Sequence, residues 1–323
     1  MHIIPPAPSL SIVVPVYNGA STIGLLVNAL ASLPTPLPNG IEMVLVNDAS
    51  PDHSLDVCQK LLKTSNIPIK LIDLSRNFGE YNAVMAGLRA SRGDYVITMD
   101  DDLQNPPEEV LKIFAYCRDQ NLDVVYTNFT TKQHAWWRNL GSKFHNIVAR
   151  QLLNAPKNLY FSSFRCMSRF LVDQITQYHG PYAYQDGLIM QTTRRIGQIT
   201  VAHKARAHGH SNYNLRRLLR VWLAMALNFS IMPLRMASLA GFLACMIGVV
   251  GMVVILIEKL LNEPPLGWSS LAIAIFFLAG VQLLMLGIVG EYVGRIFMTI
   301  NRAPQVIIRQ EWDNFSNFPK DHP

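Results

Sequence analysis

The sequence predicts an α/β domain with a mostly parallel sheet, followed by membrane helices. Short apolar runs rich in β-branched residues alternate with helical patterns through residues 10–99, which is typical of βαβ units. Two stretches, 236–257 and 264–290, contain no charged residue, and each exceeds the roughly 20 residues that a membrane-spanning helix needs. With 50% hydrophobic and only 15% charged residues, the chain is more apolar than ordinary soluble proteins.

Hydrophobic periodicity places the first elements in order along the chain. Four apolar runs predict strands, at residues 10–16, 41–47, 69–74 and 95–99. Helical patterns connect them, at residues 21–32, 54–63 and 79–90. A fourth helix is predicted to start with Pro107, because proline and acidic residues such as Glu108 and Glu109 suit a first helical turn.

The fourth predicted strand ends in three consecutive carboxylates, Asp100, Asp101 and Asp102. Ligands of open α/β sheets bind at the carboxyl ends of the parallel strands. Asp100 and Asp102 share one face of an extended segment. Such oxygen ligands suit Mg²⁺ or Mn²⁺, which usually also takes oxygens from a substrate diphosphate. A solvated acidic turn is the alternative interpretation.

Polar residues also follow the other three predicted strands. Tyr17 and Asn18 follow the first strand, Asn47 and Asp48 end the second, and Arg76 follows the third. An aromatic ring, carboxylates and an arginine at one sheet edge suit a base, a ribose and a diphosphate. The chain has no Gly-rich phosphate loop, which argues against kinase-type and dinucleotide-type sites.

Charge patterning predicts the membrane organisation. We expect a cytosolic domain at 1–210, an interfacial amphipathic helix at 211–232, two transmembrane helices within 233–295 (about 236–257 and 266–290) and a cytosolic tail at 296–323. Arginines flank both spans, whereas the connecting loop 258–263 holds one lysine and two glutamates, so both termini are expected in the cytoplasm. The net charge of +6 fits a domain close to anionic lipid, and no nucleic-acid motif accompanies it.

Taken together, the motifs resemble those of family 2 glycosyltransferases with the glycosyltransferase A fold, and more narrowly the polyprenyl-phosphate glycosyltransferases. The resemblance runs from about residue 10 to residue 309. The motifs that carry it lie at 15–18 (PVYN), 47–52 (NDASPD), 76–79 (RNFG), 100–108 (DDDLQNPPE), 136–143 (WWRNLGSK), 206–213 (RAHGHSNY), 233–235 (PLR) and 290–295 (GEYVGR).

The resemblance implies an activity and its setting. The enzyme would move one sugar, with inversion, from a nucleotide diphosphate sugar (foremost a UDP-sugar) to a polyprenyl phosphate such as undecaprenyl phosphate. It would need Mg²⁺ or Mn²⁺. It would be a multi-pass homo-oligomer of the bacterial inner membrane, with its catalytic domain in the cytoplasm.

The same resemblance assigns residues to roles. Those implied to bind the nucleotide sugar are Pro15, Tyr17, Asn18, Asp48, Arg76, Asp100 and Asp101. Those implied to hold the metal are Asp100, Asp102 and Gln104. Those implied to approach the acceptor phosphate are Arg138, Ser142, Lys143, Arg165 and Ser211. The candidate catalytic residues are Asp102, Arg206, Ser163 and Asp186.

Five positions depart from the family pattern, namely Gly19, Asn47, Ala49, Ser163 and Asn212. Gly19 stands where relatives carry glutamate, and Ala49 where they usually carry glycine. Ser163 stands where many members have an aspartate considered a candidate base. A phosphate monoester has a second pKa of about 6 and is already largely dianionic, so the acceptor needs no strong base. Asp186 remains a back-up base or sugar-binding carboxylate, with a helix-start cap as the alternative.

Other functions stay open at this stage. A membrane polysaccharide synthase shares the fold, but normally has a Gln-x-x-Arg-Trp motif and more spans. A transferase acting on a lipid hydroxyl would need a working base, which Ser163 does not supply. A catalytically inactive nucleotide-binding membrane scaffold is the third alternative, and the intact Asp100, Asp102, Gln104 and Arg206 argue against it.

Overall fold

The computed structural model describes residues 8–34, 37–129, 155–156, 159–202 and 267–317, together with short, interrupted groups of helical residues between 234 and 257. The chain divides into two compact units. The first contains Met1–Leu215 and Arg302–Pro323, and the second contains Arg216–Asn301.

The first unit has the predicted α/β architecture. Its described strands are β1 (Leu10–Val16), β2 (Ile41–Asn47), β3 (Ile69–Leu74), β4 (Tyr95–Thr98), β5 (Val124–Phe129), β6 (Arg165–Ser168), β7 (Ile196–Val201) and β8 (Ile308–Asp313). Its described helices are α1 (Ile23–Ala31), α2 (Ser54–Thr64), α3 (Glu80–Ala90), α4 (Glu108–Asp119), α5 (Arg169–Ile175) and α6 (Gln185–Thr192), and a 3₁₀ turn covers Phe315–Asn317.

The described strands form one sheet in the order β7-β5-β6-β4-β1-β2-β3-β8. Neighbours β4, β1, β2 and β3 run parallel, as do β5 and β7, whereas β6 and β8 are antiparallel to their neighbours. The chain order reverses beside β1, because β2 lies on one side of it and β4 on the other. Open sheets bind ligands at the carboxyl ends of the strands beside such a reversal.

Helices cover both faces of the central strands, which explains their continuous apolar runs. All seven residues of β2 are buried. Ile12, Val14 and Leu45 belong to the same core cluster as Leu26 of α1 and Leu61 of α2. On the other face α3 approaches so closely that a Cβ at Gly87 would overlap the Val13 side chain.

The predicted strands at 10–16, 41–47 and 69–74 are confirmed with the same bounds, and β4 ends one residue earlier than expected. Helices α1, α2 and α3 are confirmed with ends that differ by one or two residues. Pro107 is the residue that precedes α4, which begins at Glu108 with two acidic residues in its first turn. This start fits the positive end of the helix dipole.

The second unit contains a long helix, α7 (Trp268–Ile300). Within the described residues, Leu278–Ile300 is the one segment long and apolar enough to cross a membrane, with a mean hydropathy of 1.6. The predicted span at 266–290 therefore lies largely in a helix that continues to Ile300. The predicted interfacial helix at 211–232 lies outside the described residues, and only short, interrupted groups of helical residues are described in the predicted span at 236–257.

The segment predicted as a tail, 296–323, belongs partly to helix α7 and partly to the first unit. Helix α7 extends through its first residues, and Arg302–Pro323 groups with the first unit. Strand β8 pairs antiparallel with β3 and completes that edge of the sheet. Sequence periodicity did not indicate this strand, because its pattern of residues is mostly polar and exposed.

Candidate active site

The loops that follow β1 and β2 are bonded to each other at the carboxyl edge of the sheet. The Gly19 amide donates to the Ser54 hydroxyl at 2.9 Å, and the Ala20 amide donates to Asp52 Oδ2 at 3.2 Å. The hydroxyl and amide of Ser54 both donate to Asp52 Oδ1. Burial raises the pKa of Asp52, but these hydrogen bonds outweigh it and hold the pKa below its ordinary value. The linking carboxylate is therefore ionised at neutral pH.

Asp48 connects the β2 end to the loop that follows β3. Its two oxygens accept hydrogen bonds from the backbone amides of Phe78 at 2.7 Å and Gly79 at 2.9 Å. Burial raises the pKa of Asp48, and the two amide bonds partly offset that rise. Gly79 has a φ of +88°, which favours glycine. The Arg76 guanidinium lies 4.8 Å from the centre of the Phe78 ring, within this same loop.

Three non-glycine residues at strand ends adopt left-handed backbone conformations. The φ angles are +57° at Asn18, +49° at Ala49 and +60° at Leu103. Such conformations cluster at functional sites, because the surrounding structure has to hold them. Alanine at position 49 carries a backbone cost of about 1 kcal/mol, because its Cβ disfavours a positive φ.

Two neutral donors contact the aspartate triplet that follows β4. Ser163 donates its hydroxyl proton to Asp100 Oδ2 at 2.8 Å, and the backbone amide of Gln104 donates to Asp102 Oδ1 at 3.1 Å. The Ser163 carbonyl accepts in turn from the Thr98 hydroxyl at 2.6 Å, so β4 fixes both partners. Ser163 therefore contacts the triplet, although it does so as a hydrogen-bond donor.

Asp101 explains why a glycine stands at position 19. A Cβ built on Gly19 would overlap the carboxylate of Asp101, so any side chain there would displace it. The ends of β1 and β4 are thus in direct contact. A glutamate at position 19 would therefore require a different placement of Asp101.

The oxygen set at this edge fits a hard divalent cation that shares its ligands with a substrate. Among the described residues, no group of three or more His, Cys, Asp or Glu side chains is arranged to hold a metal. The described residues therefore do not form a metal site made of protein ligands alone. Mg²⁺ is usually held by one or two carboxylates, with substrate phosphates and water completing its shell. Asp100 and Asp102, with the amide oxygen of Gln104, match that requirement.

Asp186 lies in a buried ion pair at the start of α6. Its Oδ1 atom accepts from the Tyr126 hydroxyl at 2.8 Å and from the Arg165 guanidinium. The Arg165 and Asp186 side chains are only 4% and 9% exposed. Burial lowers the pKa of Arg165, but the Asp186 charge outweighs it and raises that pKa. The two candidate residues therefore satisfy each other inside the domain.

Other candidates have different surroundings. Tyr17 is 49% exposed at the end of β1, which leaves its ring accessible to a ligand. Pro15 is the next-to-last residue of β1 and partly exposed. Five candidates fall outside the described residues, namely Arg138, Ser142, Lys143, Arg206 and Ser211.

A cavity of about 250 Å³ lies at the same edge, beside the ends of β2 and β3. Its lining includes Asn47, Ser50, Asp52 and Asp73, and Arg309 from strand β8. Asn47 donates to Asp73 at 2.7 Å, which joins the two strands below the cavity. Arg309 was not among the sequence candidates, because nothing local shows that it returns to the β3 edge.

Comparisons with known proteins agree with this architecture. Residues 11–176 match the model of the family described as glycosyl transferase family 2. The undecaprenyl-phosphate 4-deoxy-4-formamido-L-arabinose transferase of Pseudomonas savastanoi pv. phaseolicola is 31% identical over 310 residues, which cover 94% of this chain and 91% of that protein. The protein of the same name from Pseudomonas syringae pv. syringae is 30% identical over the same length.

A solved structure shares the fold. Glucosyl-3-phosphoglycerate synthase from Mycobacterium tuberculosis, crystallised with Mn²⁺, UDP and phosphoglyceric acid, superposes with a TM-score of 0.51 at 16% identity. The match covers 68% of this chain and 76% of that one. The family match over half of the chain and the full-length relatives lead to one conclusion: the chain belongs to glycosyl transferase family 2.

Proposed function

We propose that the protein transfers one sugar from a nucleotide diphosphate sugar to a polyprenyl phosphate, with undecaprenyl phosphate as the acceptor. The observation that carries this proposal is the joining of four strand ends around Asp48 and Asp100–Asp102. Relatives that match over 94% of the chain are named for transfer to undecaprenyl phosphate. A UDP-sugar is the proposed donor class, since the Mycobacterium synthase of the same fold was crystallised with UDP.

The reaction exchanges one bond at the anomeric carbon of the sugar. An oxygen of the acceptor phosphate attacks that carbon and forms the new C–O bond, while the bond to the nucleotide diphosphate breaks. The departing nucleoside diphosphate takes the bonding electron pair, and single displacement inverts the configuration. The acceptor is already largely dianionic above its second pKa of about 6, so no proton has to be removed.

The residues at the strand ends then act by binding and orientation. Asp48 and Arg76 would bind the nucleoside, and the exposed ring of Tyr17 is accessible to the same ligand. Asp100 and Asp102 would hold Mg²⁺ or Mn²⁺, whose charge stabilises the leaving diphosphate when the ion is bound. Ser163 holds the Asp100 carboxylate in place. When the attacking group is already an anion, positioning and charge stabilisation of this kind can supply much of the rate acceleration.

We assign Arg165 and Asp186 to the support of the site. Each neutralises the other in the interior, and Tyr126 adds a third bond. A base must instead reach the proton that it removes. The pair joins β6 to the first turn of α6, and thus supports Ser163, which lies two residues before Arg165.

The return of β8 to the sheet supports a membrane topology with two spans. Strands β7 and β8 belong to the same sheet, yet the chain between them contains the apolar segment Leu278–Ile300. A folded sheet lies on one side of a bilayer, so a membrane-spanning segment between residues 202 and 308 implies an even number of crossings. We place the other crossing, which comes first in the chain, at about 236–257. We place the catalytic unit in the cytoplasm of a bacterial cell. Labelling of a cysteine introduced at Asn262 from the outside only would support this placement, and labelling from the cytosol only would exclude it.

The decisive experiment is mass spectrometry of the lipid product. Membranes containing the protein would be supplied with undecaprenyl phosphate and a panel of UDP-, GDP- and dTDP-sugars. We expect one sugar per lipid, joined through a phosphodiester, and release of the matching nucleoside diphosphate. Addition of several sugars in series would instead favour a polysaccharide synthase, and no transfer from any donor would contradict the proposal.

A further inference from the structure

The segment that follows helix α7 is built into the catalytic unit. Besides the pairing of β8 with β3, the buried side chain of Asn314 accepts from the Ile69 amide at 2.7 Å and donates to the carbonyls of Leu62 and Ile67. Farther back, Gln305 donates to the Gly180 carbonyl at 2.9 Å. These bonds join positions more than 120 residues apart, so the segment is an integral part of the domain.

Two residues of this segment hold Ser75, the first residue after β3, from both sides. The Ser75 amide donates to the Ile307 carbonyl at 2.9 Å, and the Arg309 guanidinium donates to the Ser75 carbonyl at 2.9 Å. The strand register passes from Asp73 opposite Gln310 to Leu74 opposite Ile308, which leaves Arg309 without a matching residue. Such irregularities redirect a side chain beside a site.

The loop that begins at Ser75 ends at the proposed donor site. Phe78 and Gly79 donate their amides to Asp48, and Arg76 lies between these two attachments. One end of the loop is therefore held by the segment that follows the membrane helix, and the other by a proposed nucleotide-binding carboxylate. Arg309 also lines the cavity beside the ends of β2 and β3.

We propose that Arg309 is a positioning residue for donor binding, because it fixes the start of the 75–79 loop and thereby the orientation of Arg76. This inference rests on the proposed function. A guanidinium-to-carbonyl bond is charge-assisted, and its loss would release the Ser75 carbonyl at the point where the loop leaves β3, while the Ser75 amide stays bonded to Ile307. Residues 301–307 connect α7 to β8, which carries Arg309, so a short stretch of chain joins the proposed membrane helix to the donor loop.

The test compares Arg309→Ala, Arg309→Lys and a control, Glu311→Gln, in the full-length protein in membranes. Glu311 lies two residues farther along the same strand and pairs with Lys70 at the exposed sheet edge. We expect Arg309→Ala to raise the KM for the nucleotide sugar about tenfold, as for loss of one hydrogen bond from a charged group, with the KM for polyprenyl phosphate unchanged. Arg309→Lys should recover part of the loss, and Glu311→Gln should leave both KM values as they are.

Several results would overturn the inference. These are an unchanged donor KM in Arg309→Ala, an equal rise in both KM values, or the same rise in Glu311→Gln. Calorimetric titration with UDP provides a second readout, in which Arg309→Ala should bind more weakly than wild type. An active wild type with an unaffected Arg309→Ala would refute only this inference, whereas a wild type that transfers no sugar would refute the proposed function and this inference together.

Discussion

The two edges of the sheet fix their buried carboxylates by different means. At the amino edge, Glu42 accepts from the Ser11 hydroxyl and from the amide and guanidinium of Arg92, at 2.7–2.9 Å. At the carboxyl edge, the two oxygens of Asp48 accept instead from the backbone amides of Phe78 and Gly79. A guanidinium neutralises the carboxylate that it orients, whereas an amide orients it without cancelling its charge. The Glu42–Arg92 pair thus serves stability, whereas the described amide bonds hold Asp48 in place without neutralising it.

The largest effect on activity should come from Asp102→Asn. This change preserves shape but removes one of the charges proposed to hold the metal, so turnover should fall by about a hundredfold or more. The measurement is sugar transfer from a radiolabelled donor over a range of Mn²⁺ concentrations. Asp119→Asn, at the exposed end of α4, is the matched control and should stay active. Full turnover of Asp102→Asn in excess EDTA would refute the metal-based mechanism.

At the amino edge, Glu42→Gln should lower the free energy of unfolding and leave the rate of sugar transfer unchanged. The Glu42 side chain is 1% exposed, and removal of its charge leaves the Arg92 guanidinium without its partner, at a cost of roughly 3 kcal/mol. Urea unfolding of the detergent-solubilised protein measures this loss. Lys70→Gln breaks a more exposed ion pair on the same sheet and should cost less than about 1 kcal/mol. Equal losses of unfolding free energy in Glu42→Gln and Lys70→Gln would contradict the structural role given to Glu42.

Ser163→Asp tests whether the carboxyl edge needs a base. The new carboxylate would lie beside Asp100, which now accepts the Ser163 hydroxyl proton, so we expect slower transfer from a repulsion on the order of 1 kcal/mol. Ser163→Ala, which loses the hydrogen bond without adding charge, separates the two causes. Single-turnover rates decide the matter. A gain of roughly a hundredfold, the lower end of general-base catalysis, would show that the reaction does use a base.

The smallest expected change concerns the pH dependence of Asp186→Asn. Wild-type transfer should rise with pH through about 6, as the acceptor phosphate loses its second proton. Because ionisation of the acceptor phosphate causes this rise, the same rise (the acidic limb of the profile) should persist in Asp186→Asn at whatever rate that variant retains. Single-turnover pH profiles of the two proteins provide the measurement. Disappearance of the limb in the variant alone would restore Asp186 as the base.

Local sequence was sufficient for the strand–helix alternation and for the residues at the strand ends. Apolar runs and their polar endings are properties of consecutive residues, and parallel strands bring their carboxyl ends to one edge. The aspartate triplet and Asp48 could be assigned to the site on that basis. The partners of those side chains could not, because Asp48 bonds to residues 30 positions away and Asp100 to one 63 positions away.

The sequence by itself determined the α/β class, the helix α7 and the edge at which the polar residues gather. Only the tertiary structure decided that Asp186 pairs with Arg165, that Asp101 lies against Gly19, and that Arg309 returns to the loop after β3. The physical reason is that periodicity reports which face of an element is buried, whereas a hydrogen bond between distant residues depends on how the elements pack. Strand β8, polar and exposed, has no burial signal of its own and exists because β3 offers it an edge.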